Sequence, residues 1–250
     1  MTKDISTDLI IGFHAVQSLL KTCPDRAHEL LVQARRKDER LTKTINLAER
    51  NNIPVRKLPA DEMDAFAHQE RHQGCILRAS KGKMFDEKWM LDYLASLDHA
   101  PLVLVLDGLT DPHNLGACLR SADAAGVDAV IVPRDKSVGL TPIVRKVACG
   151  AAETVPFVLV TNLSRVLEKL QKAGFWVCGA AGESEKTLCD VDLKTPTAIV
   201  MGSEDRGLRR LTRDCCDHLV RIPMQGAVES LNVSVATGIM LFEAVRQRLN

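Results

Sequence analysis

From residue 101 onward the chain alternates short, largely apolar runs with amphipathic stretches, and this alternation restricts the fold more than any other feature. The apolar runs are strand-sized: 102–106 (LVLVL), 127–132 (VDAVIV), 155–160 (VPFVLV), 175–179 (FWVCG), 197–201 (TAIVM) and 218–222 (HLVRI). Between them lie helix candidates at 115–125, 141–149, 163–173, 208–214 and 231–248. A strand that is apolar on both sides must be covered on both faces. Helices between successive strands are the crossovers that parallel strands require. The expectation is an α/β domain with a mostly parallel sheet, its ligands held beyond the carboxyl ends of the strands.

The first 80 residues alternate on a smaller scale. Gly12–Lys21 and Arg40–Arg50 carry apolar positions at helical spacing, and 60–68 reads as a short helix. Segments 29–32, 53–58 and 74–79 read as strands, giving a small α/β/α domain over 1–80. Residues 81–100 are read as a linker and a leading amphipathic helix, and 101–250 as the second domain.

Composition excludes several classes. With 33 Lys+Arg against 32 Asp+Glu, the chain has no global basic excess, so any nucleic-acid contact must come from a local patch. An apolar share of 46% argues against global disorder. The N-terminus MTKDISTDLI has no basic region followed by an apolar core, and no run approaches membrane-span length. The expectation is a cytoplasmic protein without a membrane partner. The eight cysteines form no C-x-x-C pair and read as buried thiols in a reducing compartment. No paired Cys/His spacing suggests a metal, so none is expected.

Three strand-to-helix junctions carry residues that a plain connection does not need. The first, Asp107–Arg120 (DGLTDPHNLGACLR), places Asn114 where it can cap a helix. It sets Arg120 off the apolar stripe of Leu115, Leu119 and Ala122. The second, Val200–Leu208 (VMGSEDRGL), opens a tight loop at Gly202 with Glu204 at its tip. The third, Ile222–Ser234 (IPMQGAVESLNVS), leaves a strand through a Pro/Gly loop. Ser230 there reads as the cap of the last helix, Asn232 as a first-turn residue, and Leu231, Val235 and Ile239 as turned inward. Alone, the first junction also reads as an exposed Arg120–Asp123 pair, the second as a solvated acidic turn, and the third as a plain capping serine, a role compatible with ligand binding. Neither G-x-G-x-x-G nor G-x-x-x-x-G-K-[ST] occurs, so the usual nucleotide-binding turns are absent.

Together, in this order, the three junctions resemble the motifs of the SpoU (TrmH-like) family of RNA ribose 2'-O-methyltransferases: N-x-G-x-x-x-R at Asn114, Gly116 and Arg120, G-x-E-x-x-G-L at Gly202, Glu204, Gly207 and Leu208, and I-P-M-x-G-x-x-x-S-L-N-V-S at 222–234. The likeness is nearest to members that methylate a guanosine ribose in large-subunit (23S) ribosomal RNA. Residues 1–80 are similar to the small ribosomal-protein-like RNA-binding domain found ahead of the catalytic domain in some members. The resemblance implies an α/β trefoil-knot catalytic domain, a homodimer with its active site near the subunit interface, and S-adenosylmethionine as methyl donor. It implies Gly202, Ile222, Met224 and Leu231 as donor-binding residues, with Arg120, Asn114, Glu204, Ser230 and Asn232 as catalytic residues. Two roles stay open for Arg120: base for the ribose hydroxyl, or cation that binds phosphate and stabilises the oxygen. A guanidinium hardly deprotonates, which makes the second physically easier.

A basic cluster at Arg35, Arg36, Lys37 and Arg40, with Arg56 and Lys57 and Lys81 and Lys83 in the linker, reads as a phosphate-gripping surface on the first domain. Two other functions fit the residues: a transfer RNA 2'-O-methyltransferase, and a non-catalytic RNA-binding protein. The latter has no use for Asn, Arg, Glu and Ser at three separate strand ends.

Overall fold

The structure, a computed structural model, describes residues 7–36, 38–67, 72–80, 82 and 85–249. Lys37, His68, Lys81 and Lys83 lie outside the described residues. Two compact units form: residues 1–83 with 140–154, and residues 84–139 with 155–250.

In the first unit, β1 (Thr7–Ile11), α1 (Phe13–Thr22), β2 (Ala27–Gln33), α2 (Glu39–Arg50), β3 (Val55–Leu58), α3 (Ala60–Phe66) and β4 (Cys75–Ser80) follow in order. The sheet runs β1-β4-β2-β3, with β2 and β3 parallel and the other pairs antiparallel. Alternate strand residues face opposite layers. Leu30, Val32 and Leu77 meet Val16, Leu19, Leu20 and Leu41 of α1 and α2. Leu31, Leu58 and Ile76 meet Met63 of α3 on the other side. This is the α/β/α arrangement expected from the sequence, with one strand more: β1 is absent from that reading.

The second unit begins with α4 (Glu87–Ala95), capped by Asp86, whose carboxylate accepts from Trp89 N at 2.8 Å. Then come β5 (Leu102–Asp107), α5 (Pro112–Ala124) and β6 (Ala129–Pro133). The chain next leaves this unit for α6 (Pro142–Val147) and α7 (Ala151–Thr154). It returns as β7 (Phe157–Val160), α8 (Leu163–Lys172), β8 (Trp176–Ala180), β9 (Thr197–Gly202), α9 (Arg210–Asp214), β10 (His218–Val220) and α10 (Val233–Arg248). All six strands are parallel, in the order β10-β8-β9-β5-β6-β7. Val103, Val105, Ile131 and Val158 pack under α4 and α8 against Met90, Leu94, Val166 and Leu170. Helices α5 and α10 pack against each other, and α10 also contacts β9.

The sequence reading placed 140–154 in the second domain; its contacts put it in the first. The physical reason is a nearly buried ion cluster. Glu153 pairs with Arg26 (Nη1 to Oε2, 2.6 Å) and with Arg145, which also reaches Asp8 at 3.3 Å. The Glu153 side chain is only 2% exposed, and the two arginines 14% and 12%. All eight cysteines are free; Cys75, Cys118 and Cys178 are buried as expected, Cys23, Cys149, Cys215 and Cys216 are half-buried, and Cys189 is exposed, contrary to the expectation of buried thiols. Among the described residues no helix is long and apolar enough to cross a membrane, and no His/Cys/Asp/Glu group could hold a metal ion.

Candidate active site

A cavity of about 580 Å³ opens beyond the carboxyl ends of β8, β9 and β10, where a parallel sheet is expected to hold its ligand. Three strand ends supply its wall: Ala180–Gly182 after β8, Met201–Glu204 with Gly207 after β9, and Val220–Ile222 with Met224 after β10. Glu229–Val233 and Ala236 close it. Gly202, Ile222, Met224 and Leu231, read from the sequence as donor-binding, all line it, as do Glu204, Ser230 and Asn232.

The loop after β9 is drawn tight by two reciprocal backbone bonds. Ser203 N donates to Gly207 O at 3.1 Å, and Gly207 N to Ser203 O at 2.9 Å. Gly207 holds a left-handed φ of 61°. The loop folds so closely over Gly202 that a Cβ there would overlap the Gly207 carbonyl carbon and oxygen and the Leu208 amide nitrogen. Glu204 is thereby carried to the cavity rim.

At that rim the three junctions converge on one side chain. Asn232 Nδ2 donates to Glu204 Oε1 at 2.5 Å and to Asn114 Oδ1 at 3.0 Å. Val233 N also donates to Glu204 Oε1, at 3.3 Å. Asn232 is itself the cap of α10, its Oδ1 accepting from Ser234 N at 2.9 Å and Ser234 Oγ at 2.5 Å. One residue thus satisfies the helix end and ties the loops together.

Three sequence expectations need correcting here, and Arg120 is found where the sequence put it, off the apolar stripe. Ser230 is not the cap; it is exposed, and the helix starts at Val233 because Asn232 Oδ1 accepts from Ser234 N while Glu204 takes Val233 N. Asn114 does not cap α5. Asp111 does, its Oδ1 accepting from His113 N at 2.9 Å, and Pro112 occupies the first helical position. Asn114 lies one turn in, buried, with its amide aimed at Asn232. Val235 and Ile239 are 50% and 39% exposed, since Val233, Thr237, Met240 and Leu241 form the inward stripe of α10. Arg120 is exposed and absent from the cavity wall. It sits six residues beyond Asn114, about 9 Å further along α5 at 1.5 Å per residue.

One pair escaped the sequence reading. Asp107 ends β5 with its side chain wholly buried, in register with Gly202 of β9. It accepts from Arg209 N at 3.1 Å and Arg209 Nε at 2.5 Å, fastening the far end of the Gly202–Leu208 loop to the neighbouring strand. An acidic residue closing an apolar run was its only signal. Beneath the site, burial pushes the Cys118 thiol up to about 11, partly opposed by its hydrogen bond to Thr237. It is a packing group and no nucleophile.

Comparison with known proteins adds the chemistry. The SpoU rRNA Methylase family pattern matches residues 101–242. The RNA 2'-O ribose methyltransferase substrate-binding pattern matches residues 9–84. A Pseudomonas putida protein named 23S rRNA (guanosine-2'-O-)-methyltransferase RlmB is 54% identical over 239 residues, 96% of each chain. Its namesake from Escherichia coli K12 is 50% identical over 242 residues, 97% of this chain and 99% of that one. The crystal structure of the SpoU methyltransferase AviRb from Streptomyces viridochromogenes with AdoMet superposes with a TM-score of 0.79 at 24% identity, covering 98% of this chain and 91% of that one.

Proposed function

The chain belongs to the SpoU rRNA methylase family and has its trefoil-knot fold, and from that premise we propose that it methylates the 2'-hydroxyl of a guanosine ribose in 23S ribosomal RNA. The observation that carries the reading is the Asn114–Asn232–Glu204 junction at the rim of a donor-sized cavity. A module that only binds RNA would have no reason to fasten three loops at the rim of such a cavity.

The cavity suits S-adenosylmethionine. Ile222, Met224 and Leu231 offer apolar surface for an adenine ring, and the tight approach of backbone at Gly202 makes a cradle that any Cβ would fill. When bound, that donor supplies a methyl group already activated on a sulfonium. The chain's own work is then to exclude water, hold the ribose at attack distance and ease loss of the hydroxyl proton. Asn232 keeps Glu204 and Asn114 in one arrangement, so the rim is set before RNA arrives.

Arg120 belongs to the RNA side of the reaction. Outside the cavity wall, its permanent charge suits a backbone phosphate or the oxygen that gains charge as the proton leaves. The first unit supplies the grip on RNA: Arg35, Arg40, Arg56 and Lys57 are exposed there. Arg36 is partly committed, its Nε bonded to Asp38 at 2.5 Å and its guanidinium 5.4 Å from the Phe13 ring centre. A homodimer without a metal ion completes the reading. Val235, Ile239 and Phe242 leave an apolar stripe exposed at i, i+4 and i+7 on α10, which a second copy would cover.

Arg120→Ala tests the proposal. It should abolish methyl transfer to 23S rRNA fragments while leaving melting temperature and donor affinity close to those of the parent. Near-normal turnover would remove Arg120 from the reaction.

A further inference from the structure

A second cavity, of about 590 Å³, lies wholly within the second unit and serves none of the roles assigned so far. It opens at the carboxyl ends of β6 and β7, beside Pro133 and Thr161, and is closed by the start of α9. Its charge is cationic. Lys136, Arg209 and Arg210 face it against a single carboxylate, Asp135. Arg209 is already held by buried Asp107, but Lys136 and Arg210 are exposed and enter no ion pair among the described residues. Neutral donors stand beside them: the Ser164 and Thr161 hydroxyls, and the Asn162 amide, whose carbonyl oxygen is taken by Arg165 N at 3.0 Å. Donors of this kind with a fixed positive charge suit phosphate oxygens, which accept from several directions. The rim adds apolar surface at Leu211, 61% exposed, against which a sugar or base can rest.

Its place on the sheet ties it to the donor cavity. Gly202, in the donor cavity, pairs in register with Asp107 on the adjacent strand, and Asp107 binds Arg209, in the second cavity. The two openings therefore lie side by side along one row of strand ends, with the Asp107–Arg209 pair between them. One strand, β5, separates β9 from β6, so the two sites stand about 10 Å apart at two strand spacings, a span that nucleotides flanking a ribose in the donor cavity can bridge.

We infer that this groove is a second RNA-backbone site, in which Lys136 and Arg210 bind phosphates of the single-stranded nucleotides flanking the methylated ribose. The inference rests on the rRNA-methyltransferase reading above and adds a substrate contact to the catalytic unit itself.

The test is a salt titration of RNA affinity for the full-length protein and for Lys136→Gln/Arg210→Gln, with donor binding measured calorimetrically on both. Each single-strand phosphate contact contributes about 0.7 to the slope of log affinity against log salt. The double variant should lower that slope by about 1.4 and weaken RNA binding, with donor affinity and melting temperature unchanged. The charge-preserving Lys136→Arg/Arg210→Lys variant should keep the parent slope. Equal slopes for the Gln variant and a parent that methylates the RNA would overturn the groove while sparing the enzymatic reading. A parent that fails to methylate 23S rRNA would remove both.

Discussion

Gly202→Ala is the sharpest probe of the donor cavity, because the obstacle there is backbone on both sides. The added methyl would overlap the Gly207 carbonyl and the Leu208 amide, and neither can rotate away as a side chain would. Restoring ordinary contact at about 3.5 Å requires the Gly202–Leu208 loop to move by roughly 1.4 Å, since the nearest overlap is with the Gly207 carbonyl carbon. That shift pulls on the two Ser203–Gly207 hydrogen bonds, each worth about 1 kcal/mol net. Overpacking of this kind costs about 1–3 kcal/mol more. The sum, about 3–5 kcal/mol, is less than the total stability of most domains, so the unit stays folded with its loop displaced. If donor binding has to restore the closed loop, about 3 kcal/mol reappears as a loss of roughly 100-fold in affinity. Gly182→Ala is the matched control. Gly182 lines the same cavity, but a Cβ there meets nothing within 4 Å. Calorimetric titration with S-adenosylmethionine should show the large loss for Gly202→Ala alone. Binding within about threefold of the parent in Gly202→Ala, or equal losses in both variants, would refute the assignment of this loop to the donor.

Three further outcomes follow from single contacts. Asn232→Ala should cost about 1 kcal/mol through the lost helix cap and reduce methyl transfer by releasing Glu204 and Asn114, whereas Ser230→Ala should leave stability unchanged; urea denaturation with a methylation assay separates them. Glu153→Ala removes the carboxylate shared by two nearly buried guanidiniums, leaving Arg145 with Asp8 and Arg26 with the Ser80 carbonyl, and should destabilise the first unit by about 3 kcal/mol, the low end for a broken buried pair, with Glu153→Gln milder, as read by denaturant midpoints. His99 is raised above its ordinary pKa chiefly by its hydrogen bond to Asp128, so its stabilisation is fully present below about pH 6.5 and is lost as pH rises through the raised value. Half-exposed, it contributes little, and His99→Gln should flatten a shallow fall in melting temperature that sets in above about pH 6.5, without changing it above the raised pKa.

What the sequence made legible divides along physical lines. Runs such as 102–106 and 197–201 announce a covered parallel sheet, because a strand buried on both faces is almost wholly apolar, with a polar residue such as Thr197 kept only where its hydroxyl finds a backbone carbonyl. β1 was missed for the opposite reason: TDLII is short, follows a polar stretch, and becomes a strand only by pairing with β4. The same dependence on distant partners hid the membership of 140–154. Its helix is visible at Pro142–Val147, but its place is decided by Arg26 and Asp8, more than a hundred residues earlier.

The site shows the contrast within a few residues. Both Ser230 and Asn232 are good caps by type, and choosing between them needs the direction in which the chain enters α10. That direction is set by Glu204, which accepts from Asn232 and from the first helical amide at once. Only the family motifs, read in order, indicated that the residues belonged together; no spacing in the chain brings Asn114 to Asn232 across 118 positions. Arg120 marks where a single chain stops. It is exposed and outside the cavity wall, so the part proposed for it in the chemistry rests on a partner, RNA or a second copy, that this chain alone does not supply.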